Sequence, residues 1–408
     1  MADDINTSDL EYLLRTMGQK EAVEQFCDQT TILDKFERRP QQYGGRNNWE
    51  IDLYANPTPA AYARSEGDSL PAAVAPIVKG ANVGKATIYV PVKVTGHMLR
   101  AEKLTDSRLT KIANFMYKDG MRGLRLAVDR MICGSGDGFI GTVASAATVY
   151  ITLSDTLLTR AIKDLPGTGL LLDIRNKTTG AIVYEGIKMT ALNETTKVAT
   201  FDTNVASATT ADGICVSGNV TAVSGVATCR EVSSIQNIIG TGTYLGLSTT
   251  TYPWHKSYVK AMANVIADAE SAQEVFDEIM DIAPVQPDVW VAGRACTRKY
   301  FSKYSGDRRF NTTVTDTGTS RLTFTPIGGN PINILGGRNV SQDEMYFIAS
   351  EHMKLYYTER FQWRDWGGGG ILHGMETEDA LIGQLIFEGE LASDCRRAHG
   401  KLTGCGYT

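Results

Sequence analysis

The chain has no excess of positive charge. Its 41 Lys and Arg face 46 Asp and Glu, a net charge of −5, whereas a general nucleic-acid binder carries a basic stripe. No apolar run approaches the length of a membrane span. The first residues, Met-Ala-Asp-Asp-Ile, are acidic where a secretory signal is basic. The seven cysteines are odd in number and scattered without pattern, so they read as free thiols in a reducing compartment.

Catalytic signatures are missing too. There is no Gly-x-Ser-x-Gly elbow to serve His255, His352 or His373, and no His-Glu-x-x-His helix. Cys395, His399 and Cys405 stand close together, but a structural zinc site needs a fourth ligand and none is in reach. Gly134-Ser-Gly-Asp-Gly138 and Gly240-Thr-Gly242 are glycine-rich. A dinucleotide fingerprint needs a strand before it and a helix after it. The first follows a helical pattern and the second lies in a Thr/Gly-rich loop, so both read as turns. The sequence therefore predicts no enzyme, no cofactor, no metal and no catalytic residue.

What is present is a long arm with little core of its own, running from about Phe36 to Arg100. Its ends, Trp49–Tyr54 and Lys85–Val94, alternate apolar and polar residues as half-buried strands do. Between them, Ala55–Gly84 is rich in Ala, Pro, Gly and Ser, and so long a loop is uncommon inside a compact domain. The backbone entropy lost on ordering it exceeds what Tyr62, Leu70, Val74, Ile77, Val78 and Val83 return by burial. The expectation is an arm that neighbouring copies hold, or that stays disordered alone.

A helix is predicted from Asp106 to Ile132, with Leu109, Ile112, Met116, Leu124, Val128 and Met131 near a 3.6-residue period. From Thr142 to Ala222 short β-prone runs alternate with turns such as Asn176–Gly180 and Asn193–Thr196, the mark of a small all-β module. Beyond Trp254 the pattern is α/β. It comprises a helical region over 257–282, a strand at Val289–Val291, a helix over Thr297–Tyr304, and strands at Ile332–Leu335, Met345–Ala349, Met353–Tyr357 and Asp379–Leu391.

This order of parts resembles the major capsid protein of tailed bacteriophages, with the Hong Kong 97 fold. The residues that carry the resemblance are the extended hairpin Trp49–Val94, the helix Asp106–Ile132 with its Gly134–Gly138 stop, and Gly246–Trp254. Pro287–Gly293, Gly329–Asn333 and Asp379–Leu391 followed by Arg397–Leu402 complete the set. The resemblance implies an α+β chain with an N-terminal arm (1–35), an E-loop (36–101) and a P domain built on the spine helix (102–141, 223–254 and 353–408). It also implies an A domain (255–352), with 142–222 as an inserted small all-β domain, expected on the outer surface because the inner and lateral faces of a shell are crowded.

The implied function is a structural subunit that self-assembles, as hexamers and pentamers, into an icosahedral head around double-stranded DNA that it does not read. It would be made in the host cytoplasm and reside in the virion, with no membrane. No long coiled-coil segment precedes the arm, so any scaffold is expected to be a separate protein or already removed, with a portal and a decoration protein as further partners. Lys79, Lys85 and Asn339 do not match a cross-linking pattern, and that chemistry does not carry over.

The residues expected at contacts between subunits are Arg38, Arg39, Arg46, Tyr62, Glu66, Asp68, Leu70, Ile77, Lys79 and Lys85 of the arm. Trp363, Arg364, Asp365 and Trp366 join them, Trp and Arg being common interface anchors; a core strand leading into the Gly367–Gly370 loop is the equal alternative for that segment. Two other functions stay open: an encapsulin-like compartment, or a β-rich glycan-binding protein.

Overall fold

The computed structural model describes residues 32–40, 49–56, 77–95, 106–154, 160–283, 285–304, 323–337, 339–364, 373–374 and 378–407. The fold is α+β, as expected: a long helix, two main sheets and a closed barrel.

A 3-10 turn at Leu33–Lys35 leads into β1 (Glu37–Pro40). β2 (Trp49–Asn56) pairs antiparallel with β3 (Ile77–Val83), Trp49 opposite Val83. β4 (Ala86–Thr95) runs antiparallel to residues 380–389 near the C-terminus. Both expected arm strands exist, but they are not the two sides of one hairpin. The partner of β2 is β3, which the sequence reading left inside the coreless stretch because Gly80 and Ala81 dilute its apolar pattern. Trp49, Leu53, Ala81 and Val83 are buried, and Trp49 and Val83 pack with Tyr356 and Ala392. The base of the arm thus has a core on its own subunit, which corrects the expectation that Ala55–Gly84 supplies none. Residues 57–76 lie outside the described residues.

Helix α1 (Asp106–Cys133) buries Leu124, Val128, Met131 and Ile132 along one face. Gly120 lies close against the sheet. A Cβ there would stand 2.8 Å from Leu385 Cδ1, whereas Gly123 faces open space. The helix stops where Gly136 and Gly138 adopt φ of 78° and 82°, a region open to glycine at little cost. Asp137 Oδ1 accepts the Phe139 N–H at 3.0 Å. The glycine cluster is therefore a helix-to-strand turn.

The chain then closes a six-stranded barrel. Its strands are β5 (Phe139–Ala147), β6 (Tyr150–Leu153), β7 (Leu171–Asn176), β8 (Ile182–Asn193), β9 (Val198–Phe201) and β10 (Asp212–Val216), with a short helix α2 (Arg160–Lys163) after β6. Alternate residues such as Ile151, Leu153, Ala199 and Phe201 fill the interior. Two of its turns form as the sequence indicates. Asn176 Oδ1 accepts the N–H groups of Thr178 and Thr179 at 3.1 and 3.0 Å, and Asn193 Oδ1 those of Thr195 and Thr196, both at 3.0 Å. A ribbon of β11 (Val220–Val223) and β12 (Val226–Cys229) follows, then the one-turn helix α3 (Ile235–Ile238).

A second sheet begins with β13 (Tyr258–Ala261), followed by α4 (Ala269–Ile282), β14 (Val289–Gly293), α5 (Arg294–Lys303), β15 (Thr323–Phe324), β16 (Ile332–Gly337) and β17 (Met345–Ile348). The helix expected over 257–282 occupies only its second half. Asp268 caps α4 by accepting the Ser271 N–H at 2.8 Å, with the Ser271 hydroxyl accepting the Asp268 N–H in return. Residues 258–261 are a strand because they pair in parallel with residues 400–403, a partner that local periodicity cannot reveal.

β18 (Met353–Trp363), β19 (His373–Gly374) and β20 (Ala380–Ser393) complete the first sheet in the order β1-β18-β20-β19, with β4 also on β20. Leu385, Phe387 and Leu391 of β20 share a core with Leu124, Val128 and Ile132 of α1. The last strand, β21 (Gly400–Thr403), returns to the second sheet between β13 and β17. Residues 353–407 therefore contribute strands to both sheets.

Candidate assembly surfaces

Described sites fall into three regions: the base of the arm, a buried polar junction and the outer faces of α4 and α5. At the arm, Lys79 Nζ sits 5.7 Å from the centre of the Tyr252 ring. Lys85 Nζ donates to Glu388 Oε2 at 3.0 Å, so two of the expected contact residues hold the arm to its own subunit. Ile77 stands opposite Asn56, and Arg38 and Arg39 stand opposite Leu355 and Tyr356 in a parallel pairing of β1 with β18. Arg46, Tyr62, Glu66, Asp68, Leu70, Asp365 and Trp366 lie outside the described residues.

The segment Phe361–Arg364 makes strand and side-chain contacts within the subunit. Phe361 stacks on Phe387 with centroids 4.6 Å apart, and Trp363 pairs with Leu385, so this part is core strand. Arg364 Nη1 donates to Gln384 Oε1 at 3.2 Å, and its guanidinium lies 5.8 Å from the Tyr89 ring centre. Those contacts bind β4, β18 and β20 together.

The junction was not legible in the sequence. Arg396 is buried, and its guanidinium donates to the carbonyls of Ile238 (2.6 Å), Gly242 (2.6 Å) and His255 (3.2 Å) while lying 4.9 Å from the Tyr244 ring centre. Burial pulls its pKa down to about 10. The side chain gathers residues 237–255, which connect the barrel to the second sheet, onto the tail. Glu390, also buried, accepts the Ser233 N–H, and burial raises its carboxyl to about 7.

The histidines take structural roles. His399 Nδ1 accepts the Ala349 N–H at 3.2 Å, leaving Nε2 to meet the Ser393 hydroxyl at 2.9 Å, and burial lowers its pKa to about 3. His352 Nδ1 lies 2.7 Å from Asp394 Oδ1, and Lys354 pairs with the same carboxylate. His255 packs beside the Tyr244 and Trp254 rings, and His373 stands opposite Ile382. Asn339 lines a cavity of about 420 Å³ with Asp137, Gln236 and Gln342 at the helix–barrel junction.

On the second sheet, α4 presents Glu270, Glu274, Asp277, Glu278 and Asp281 to solvent, while α5 presents Arg294, Arg298 and Lys303 with Lys299 half-buried. Among the described residues, no helix is long and apolar enough to cross a membrane.

No family model and no curated protein matches the sequence. Solved structures do match. A chain of the cyanophage A-1(L) capsid asymmetric unit superposes with a TM-score of 0.52 and 11% identity over 98% of both chains. A chain from the capsid of a native GTA particle gives 0.50 and 9% identity over 95% of this chain and 94% of that one. A subunit of the SrpI encapsulin complex of Synechococcus elongatus PCC 7942 gives 0.45 and 7% over 98% and 96%. The class is thus defined at the level of fold: this chain has the Hong Kong 97-type fold of capsid subunits.

Proposed function

We propose that the chain is the major capsid protein of a tailed bacteriophage, a subunit that self-assembles through hexamers and pentamers into the icosahedral head around double-stranded DNA. The observation that carries the proposal is the fold, which matches a cyanophage capsid chain from end to end. An arm whose two strands reach out from a well-packed base supports it. The net charge of −5 suits a container that holds DNA without reading it. On this reading residues 36–101 are the E-loop, α1 is the spine of the P domain, 255–352 are the A domain, and 142–222 project outward. The protein is made in the host cytoplasm and resides in the virion, with a separate scaffolding protein, a portal and a decoration protein as partners. Contacts with neighbours are proposed for the arm, from Arg38 to Lys85, and for Trp363–Trp366.

Electron microscopy of the purified protein at high concentration, with scaffold supplied, tests the proposal. Closed shells are expected, and particles recovered from producing cells are expected to hold nuclease-resistant DNA. Shells holding a protein cargo and no nucleic acid would move the reading to a compartment shell. A strictly monomeric protein that binds glycans would overturn it. An epitope tag at the exposed turn Thr178-Thr179 is expected to be reached by antibody on intact shells, which tests the outward placement of the barrel.

A further inference from the structure

The charges on α4 and α5 are segregated. Glu270, Asp277, Glu278 and Asp281 fall on one exposed face of α4, and Arg294, Arg298 and Lys299 lie along α5. Within the subunit the two helices are already joined by other groups. Lys303 Nζ meets Asp268 Oδ2 at 3.0 Å, and the Tyr304 hydroxyl accepts the Ala269 N–H at 2.6 Å. Glu274 is likewise occupied by Lys260 and by Tyr258. The seven remaining charged side chains form no ion pair among the described residues. They also lie over different parts of the sheet, α4 on β13 and β21, α5 on β14 and β16.

We infer that a second copy of this chain docks the basic face of its α5 on the acidic face of α4, head to tail. The inference rests on the shell reading and names the partner surface within it. A two-fold pairing through α4 would set acid against acid, and one through α5 would set base against base. Only a contact between unlike patches matches the charges, and such heterologous contacts close into rings when the rotation permits. Met280 and Ile282, 40% and 48% exposed at the end of α4, supply apolar area beside the acids. Exposed ion pairs add little affinity each. Their part is to fix register and reject like-charged arrangements.

Three full-length variants test this: Glu278→Lys with Asp281→Lys, Arg294→Glu with Arg298→Glu, and all four changes in one chain. Light scattering reads the concentration at which rings or shells form, and circular dichroism confirms that each variant is folded. Each double reversal is expected to raise that concentration by about tenfold or more, and the fourfold variant to return it to near the wild-type value. The two double reversals mixed in equal amounts are expected to form even-numbered rings and no pentamers, because unlike charges then meet only in alternation. Double reversals that assemble at the wild-type concentration, or a fourfold variant with no recovery, would overturn the contact while leaving the shell reading intact. A wild-type chain that never assembles would overturn both.

Discussion

The Trp49 and Tyr356 rings lie 6.1 Å apart, centre to centre, inclined by 34°, and they fasten the arm to the central sheet. Trp49 is 3% exposed, so Trp49→Ala removes a large buried side chain and is expected to cost about 3–5 kcal/mol. Denaturant unfolding measures that loss. A local readout accompanies it. Lys79 sits within a paired strand, so trypsin is expected to spare it in free wild-type subunits and to cut there in Trp49→Ala. Cleavage after Lys79 in the free wild type would show that β3 is not docked on its own subunit.

Two glycines of α1, three residues apart, are expected to respond unequally to alanine. Gly123→Ala adds a methyl group to open space and is expected to stabilise the protein by about 0.5–1 kcal/mol through helix propensity alone. Gly120→Ala gains the same propensity but drives a Cβ to 2.8 Å from Leu385 Cδ1, which offsets the gain. Thermal and urea unfolding of the pair decide the matter. Equal stabilisation at both sites would mean that α1 stands farther from β20.

Arg396 satisfies carbonyls from three separate residues of the connecting segment. Arg396→Met keeps much of the volume but leaves those carbonyls without their donor, at about 1–3 kcal/mol for each that stays unpaired. Arg396→Lys is expected to rescue only part, since an ammonium lacks the planar fork. Hydrogen exchange should rise across 237–255 in both variants, and a change confined to the tail would contradict the role.

Buried titratable groups give the fold opposing pH dependences. His399 falls from 6.5 to about 3 through burial, so its contribution is full above pH 6.5 and is lost as the pH falls towards 3. Glu390 rises from 4.5 to about 7, again through burial. The folded chain then binds that proton more readily than the unfolded one, and stability present below pH 4.5 is lost as the pH rises through 7. Glu390→Gln stays neutral throughout. Relative to this variant, the wild-type urea midpoint is expected to decline between about pH 5 and about pH 8. Parallel profiles would remove Glu390 from the account.

The parts of the fold that announced themselves carry their signal locally. The 3.6-residue stripe of Leu124, Val128 and Met131 and the turns at Asn176 and Asn193 depend on near neighbours, and the structure follows them closely. β13 and β21 depend on each other across about 140 residues of chain, so the helical reading of 257–282 could not show that β13 is a strand. β3 was missed because a glycine and an alanine occupy its centre. Lys79, Lys85 and Arg364 are expected from the sequence at contacts between subunits, and each also has a partner within its own subunit. For Lys85 and Arg364 that partner follows from the packing of β4 on β20, and for Lys79 from Tyr252 of the connecting segment. Arg396 gave no signal at all, since a buried arginine held by carbonyls has no motif.

Where the chain enters the barrel and where it leaves are nearly the same place. A Cβ at Gly138 would stand 2.7 Å from Val220 and 3.0 Å from the Cys229 sulfur. The barrel therefore joins the end of α1 through a clasp of entering and leaving chain, and it has its own core. Closing residue 138 onto residue 230 with a short glycine linker is expected to leave the remaining sheets folded, with unfolding and circular dichroism as the check. The same clasp would accept a foreign domain whose ends lie equally close together.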